Sequence, residues 1–222
     1  MTTINRKRVA VLISGRGSNL EALIAAAREP TYPADIVLVV ANRADAKGLE
    51  RARQAGIAAA VVDHVSHGSD REAFERALQD VLEAHQVAFI CLAGFMRLLT
   101  PWFVTRWQGR MLNIHPALLP AFKGLDTHAR ALAAGMKIHG ATVHFVVAEM
   151  DSGPIIVQGA VPVFDDDTAD TLAARVLAVE HQIYPLALRY LAEDRIQLID
   201  GRCRVADTEP LDGTLIVPQT IR

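Results

Sequence analysis

The chain has 222 residues, 51% of them hydrophobic and 22% charged, enough for one sizeable α/β domain or two small ones. Its 23 Lys and Arg against 25 Asp and Glu leave a net charge of −2, which argues against a nucleic-acid binder working by phosphate neutralisation. Cys91 and Cys203 form no C-x-x-C pair, and the first apolar run is too short for a signal-peptide core or a membrane span. A cytoplasmic protein with neither nucleic acid nor membrane as a partner is expected.

Short β-branched runs alternate with helical patterns along the chain. RVAVLI (8–13), DIVLVVA (35–41), AAAVVD (58–63) and VAFICLA (87–93) read as strands buried on both faces, the mark of a parallel sheet covered by helices. RMLNIH (110–115) reads as a fifth. Between them, Ser18–Arg28, Asp45–Ala55 and Asp70–Gln86 read as amphipathic helices. Gly56 stands where a C-cap ends the second, and Asp70 is placed to N-cap the third. Thr100–Pro101 opens a short helix. After Gly140 the rhythm changes: ATVHFVVAEM and PIIVQGAVPVF flank DSG as two strands joined by a turn. A long helix follows, with Pro185 expected to kink or break it, and IQLIDGRCRV reads as a terminal hairpin before a tail. The expectation is a single domain over 1–222. Its fold class is α/β, Rossmann-like and doubly wound, with an antiparallel C-terminal part and about 203–222 as hairpin or tail. In such folds ligands bind beyond the C-terminal strand ends, where strand order switches. The loops Gly15–Asn19, Gly94–Leu99 and Asn113–Gly124 open there.

SGRGSNL (14–20) joins the first strand to the first helix. A dinucleotide fingerprint needs a third glycine where Leu20 stands, and a P-loop needs a Lys that is absent. What remains is a helix N-terminus at Gly15, Gly17, Ser18 and Asn19, able to hold one anion on free N–H groups, with Ser18 or Asn19 as an added side-chain donor. A plain N-capped turn is the alternative.

In MLNIHPALLPAFKG, Asn113 and His115 leave one face of a strand and Ile114 the other. A carboxamide donor beside an imidazole suits a reaction that develops negative charge on an oxygen. Asp151, in EMDSGP, would join them at the same edge, where a carboxylate favours the imidazolium. The structural alternative is that Asn113 and His115 satisfy backbone at a strand end and Asp151 forms a turn.

SGRGSNL, GFMRLL, LNIHPALLPAFKG, HGATVHFV and MDSGPII, in this order and spacing, resemble the folate-dependent phosphoribosylglycinamide formyltransferase family from about residue 8 to about 200. The resemblance implies a Rossmann-like fold and transfer of the formyl group of 10-formyltetrahydrofolate to the amine of glycinamide ribonucleotide, in purine synthesis. It implies Asn113, His115 and Asp151 as the catalytic trio, and Gly17, Ser18 and Asn19 as the phosphate loop. Glu180 would contact the ribose. Arg71, Met96, Arg97, Leu98 and Leu99, with Asn113, would take the folate. No metal or covalent intermediate is required, and the protein would be a monomer or homodimer. Arg16 and Ala117 depart from some relatives.

Other polar residues receive structural readings. His64 and His67 suit a solvated loop, His139 and His144 local hydrogen bonds flanking a strand, and Cys91, Trp102 and Trp107 packing. Within folate chemistry the rival is a 10-formyltetrahydrofolate hydrolase, which usually carries an N-terminal regulatory domain, whereas this chain reaches its first strand by Arg8. Methionyl-tRNA formyltransferase normally adds a C-terminal domain and a basic surface. A non-catalytic nucleotide-binding module would leave the trio without a purpose, and an NAD-dependent oxidoreductase fails at Leu20.

Overall fold

The computed structural model describes residues 6–209 and 213–218. Strands β1 (Lys7–Ile13), β2 (Ala34–Ala41), β3 (Ala58–Val61), β4 (Phe89–Leu92), β5 (Met111–His115), β6 (Ile138–Phe145) and β7 (Ile155–Pro162) form one sheet in the order β3-β2-β1-β4-β5-β6-β7. β1 to β5 pair in parallel; β6 is antiparallel to β5, and β7 to β6. The expected doubly wound sheet with an antiparallel C-terminal part is present.

Alternation along the strands feeds two cores. Val9, Val11, Ile13, Leu112 and Ile114 face α1 (Ser18–Ala27), α2 (Gly48–Gln54) and α6 (Ala169–Ala192), meeting Leu20, Leu23, Leu49, Val176 and Tyr184. Ala10, Leu12, Leu38, Ile90 and Met111 face α3 (Arg71–Ala84) and α4 (Pro101–Arg106), meeting Phe74, Leu78, Leu82 and Phe103. Asp70 caps α3 by accepting from Ala73 N at 2.9 Å, and Gly56, at φ 74°, lets the chain turn off α2.

Four details depart from the sequence reading. β3 is an edge strand, partly exposed along its length up to Val61, because it has a neighbouring strand on one side only. A short helix α5 (Thr127–Ala133) lies between β5 and β6 where none was expected. His139 and His144 lie within β6 rather than flanking it. Finally, α6 runs through Pro185 without a break. An interior proline costs a helix roughly 3 kcal/mol, but buried Ile183, Tyr184, Ala187 and Leu188 hold this stretch to the sheet. The terminal hairpin is β8 (Ile196–Ile199) with β9 (Arg202–Val205); of the expected tail, 210–212 and 219–222 lie outside the described residues. Among the described residues, no helix is long and apolar enough to cross a membrane.

β1 feeds α1 on one side of the sheet, and β4 takes the other side of β1, so strand order reverses between them. Ligands of doubly wound folds bind at this position.

Candidate active site

A cleft of about 490 Å³ opens at that reversal, lined by the glycine loop, by Asn42 and Arg43 after β2, by His64 after β3, and by Ala93, Gly94, Met96 and Arg97 after β4. Gly17 stands at φ 76° as the N-cap of α1, and no side chain caps the helix. Glu21 N is the first to bond within the helix, to Gly17 O at 3.1 Å. The N–H groups of Ser18, Asn19 and Leu20 therefore have no intrahelical acceptor and sit at the positive end of the helix dipole. The Asn19 side chain is turned away from the loop: its Nδ2 donates to Glu180 Oε2 at 2.6 Å. Of the two side chains read as added donors, that of Asn19 is thus engaged with Glu180. Burial pushes the Glu180 carboxyl up, and the Asn19 bond opposes that in part. His64, expected in a solvated loop, is only partly exposed; its ring Nδ1 lies 2.7 Å from Asn42 O and it lines the cleft.

The segment after β4 is tied down at both ends. Ser14 N donates to Gly94 O at 3.1 Å, and Met96 N to Ser14 Oγ at 2.8 Å. From α3, Arg71 donates to Leu98 O, and buried Glu75 accepts from Thr100 N at 2.6 Å and from its hydroxyl. Held this way, Met96 and Leu98 stay 69% and 65% exposed.

Asn113 lies beside Leu92 in the β4–β5 ladder, one residue before the segment that forms the cleft wall. Its Nδ2 is 3.2 Å from Nε2 of His144, its direct partner across the β5–β6 ladder. His144 Nδ1 lies 2.9 Å from Phe145 O, so that nitrogen donates and Nε2 is the acceptor from Asn113. Burial holds the His144 pKa below its ordinary value, which keeps the ring in this neutral form. One amide hydrogen of Asn113 is thereby spent, and the carboxamide is oriented with the other free. His115 Nε2 donates to Phe122 O at 2.9 Å, leaving Nδ1 3.4 Å from Asp151 Oδ2. Asp151 also accepts from Gly124 N at 2.8 Å and lies 3.9 Å from His144 Nε2. The side chains of His115 and Asp151 are only 6% and 10% exposed.

Local sequence explains the assembly. Asp151 adopts φ 51°, a left-handed conformation that Asp tolerates better than most residues. Gly153 passes so close to Phe145 O that a Cβ would lie 1.8 Å from it. On the other side, Thr142 Oγ1 accepts from Leu119 N at 3.0 Å and donates to Ala117 O at 2.6 Å, fixing the loop after β5. Ala117 thus serves through its backbone.

The structure brings Asn113, His115 and Asp151 together, and Asn19 with Glu180. Arg71 meets the Met96–Leu99 segment, and Arg97 rims the cleft. The reading of His144 as a local hydrogen-bonder missed its bond to Asn113; the signal was the polar residue at a buried strand position, but pairing it needed the β5–β6 register. Arrangements of this kind, an oriented amide donor beside an imidazole–carboxylate pair at a buried strand end, stabilise a developing oxyanion.

The formyl transferase family model matches residues 7–188. The phosphoribosylglycinamide formyltransferase of Escherichia coli (strain K12) is 45% identical over 95% of this chain and 96% of its own length. The trifunctional purine biosynthetic protein adenosine-3 of Gallus gallus is 52% identical over 87% of this chain, which spans only 19% of that protein. In structure, glycinamide ribonucleotide transformylase 1 from Symbiobacterium toebii matches with a TM-score of 0.88 at 48% identity, covering 91% of this chain and 95% of that one. A formyltetrahydrofolate deformylase from Pseudomonas syringae matches with a TM-score of 0.85 at 26% identity, covering 92% of this chain and 67% of that one. With the matched segment running from the start of β1 into α6 and enclosing every residue of the site, the chain belongs to the formyl transferase family.

Proposed function

We propose that this chain transfers the formyl group of 10-formyltetrahydrofolate to the amine of glycinamide ribonucleotide, as a cytoplasmic step of purine synthesis. The observation that carries the reading is the Asn113–His144–Asp151–His115 cluster, with β4 alone between β5 and the strand that leads into the glycine loop and its free N–H groups. The glycinamide amine is nucleophilic near neutral pH, so the protein has to position it and stabilise charge, with no metal in the scheme. Asn113, with one hydrogen tied to His144, directs its second to the formyl oxygen as charge builds there. His115, with Asp151 on Nδ1, exchanges its Nε2 bond to the Phe122 carbonyl for one to the same oxygen, and Asp151 relays the proton from the attacking amine to the leaving nitrogen. Ser18 and the backbone of Gly17 and Asn19 take the phosphate, and Glu180 the ribose hydroxyls. The folate fits the wall after β4: Met96 and Leu98 present apolar surface that a pterin ring would cover, and Arg71 and Arg97 suit its carboxylates.

Identity supports transfer over the hydrolase alternative, since the deformylase likeness stands at 26% against 35% to 54% for the solved transferases. The test is the absorbance change on folate release with the ribonucleotide present and absent. Release only with the ribonucleotide is expected; release at the same rate without it makes the protein a hydrolase.

A further inference from the structure

The fingerprint for dinucleotides uses a third glycine on the first helix to let helix and strand approach closely; here Leu20 fills that position. The close approach has moved to the next helix. Gly48, first residue of α2, donates its N–H to Gly15 O at 3.1 Å. A Cβ on Gly17 would lie 3.0 Å from the Gly48 Cα, and a Cβ on Gly48 would lie 2.5 Å from Ile13 Cδ1 and 3.4 Å from the Gly17 Cα. One turn on, Arg51 Nε donates to Arg16 O at 3.1 Å while its Nη1 pairs with Glu21 of α1. Two of the three peptides from Gly15 to Gly17 are thus gripped through their carbonyls by α2. The third closes α1 through Gly17 O.

We propose that α2 is the brace of the glycine loop, and that Gly48 and Arg51 are positioning residues for the phosphate of the ribonucleotide. The inference rests on the reading of that loop as the phosphate site. A loop that binds through backbone N–H groups has no rotamers to adjust, so its affinity depends on the peptides being held in place before the ligand arrives. A methyl at Gly48 meets Ile13 Cδ1 at 2.5 Å, and because Ile13 is fully buried either its side chain repacks in the core or α2 moves off the loop. Arg51 adds to the grip because its planar fork reaches a carbonyl and a carboxylate at once, which a Lys ammonium does less well. Arg16 enters this scheme through its carbonyl, held by Arg51.

Gly48→Ala is expected to raise KM for glycinamide ribonucleotide about tenfold while kcat and KM for the folate stay within about twofold. Adding Ile13→Val, which removes the Cδ1 that the new methyl meets, should restore KM. Arg51→Ala, at a pair exposed enough that its loss should cost the fold little, should shift the same KM by about threefold, and Arg51→Lys by less. Melting temperatures are recorded for all. Wild-type KM in both Gly48→Ala and Arg51→Ala, or equal loss of kcat and of both KM values, overturns the brace. A wild-type protein that uses the dephosphorylated riboside as well as the ribonucleotide overturns the phosphate reading beneath it.

Discussion

At the β5 end of the candidate site the polar groups are side chains held by other groups: Asn113 by His144, and His115 by Asp151 and the Phe122 carbonyl. At the β1 end they are mostly backbone N–H groups of α1, left free because Gly17 carries no side chain and nothing caps the helix. The two constructions answer different demands. Charge that appears on one atom during a reaction needs a donor aimed at that atom, and buried, mutually bonded side chains provide the aim. A phosphate brings its full charge from the start and is met by several donors, which a helix N-terminus supplies without ionisable groups.

Mutations should separate the two ends. Asn113→Ala or His115→Ala is expected to lower kcat by about 10²–10³ with the fold retained, read from single-turnover folate release alongside thermal melting; near-normal turnover in either breaks the division. His144→Leu keeps Asn113 but removes the acceptor that orients it. A loss of about five- to tenfold in kcat is expected, of the order of one hydrogen bond, whereas an unchanged kcat means that the carboxamide is oriented without it.

At the other end, Glu180→Gln tests the buried carboxyl beside Asn19. Because burial raises the Glu180 pKa in the folded protein, its favourable contribution is full below the ordinary carboxylate range and is lost as pH rises through the raised value. Denaturant midpoints across pH should therefore show wild type falling behind Glu180→Gln as pH increases, and converging with it in acid. Parallel curves would remove the penalty. The smallest effect is expected at exposed Met96: Met96→Ser should change stability by less than about 0.5 kcal/mol while raising KM for the folate a few-fold, by comparison of both substrates' KM values.

The same contrast decided what could be read from the amino-acid order. The parallel half of the sheet was legible because β1, β2 and β4 are apolar, β-branched and buried on both faces. That Asn113 and His115 share a strand face was legible because residues two apart must do so, while a role for them came from the resemblance of the motifs around them. What escaped depends on contacts distant in sequence. His144 meets Asn113 only through the antiparallel register, and Asn19 meets Glu180 across 161 positions. The continuity of α6 past Pro185 comes from its packing on the sheet, and α5 is too short for periodicity to declare it.

The reversal of β6 has a further consequence. Because β6 runs against β5, the connection from Val146 to Pro154 starts and ends level with Leu112, Asn113 and their partners, and must fold back to bring Asp151 to His115. Hairpin connections are ordinarily where a chain tolerates added or lost residues. This one has its length fixed from both sides, by Gly153 against Phe145 and by the reach of Asp151 to Gly124 and His115. A residue added or removed between Val146 and Pro154 therefore costs the contact of Asp151 with His115.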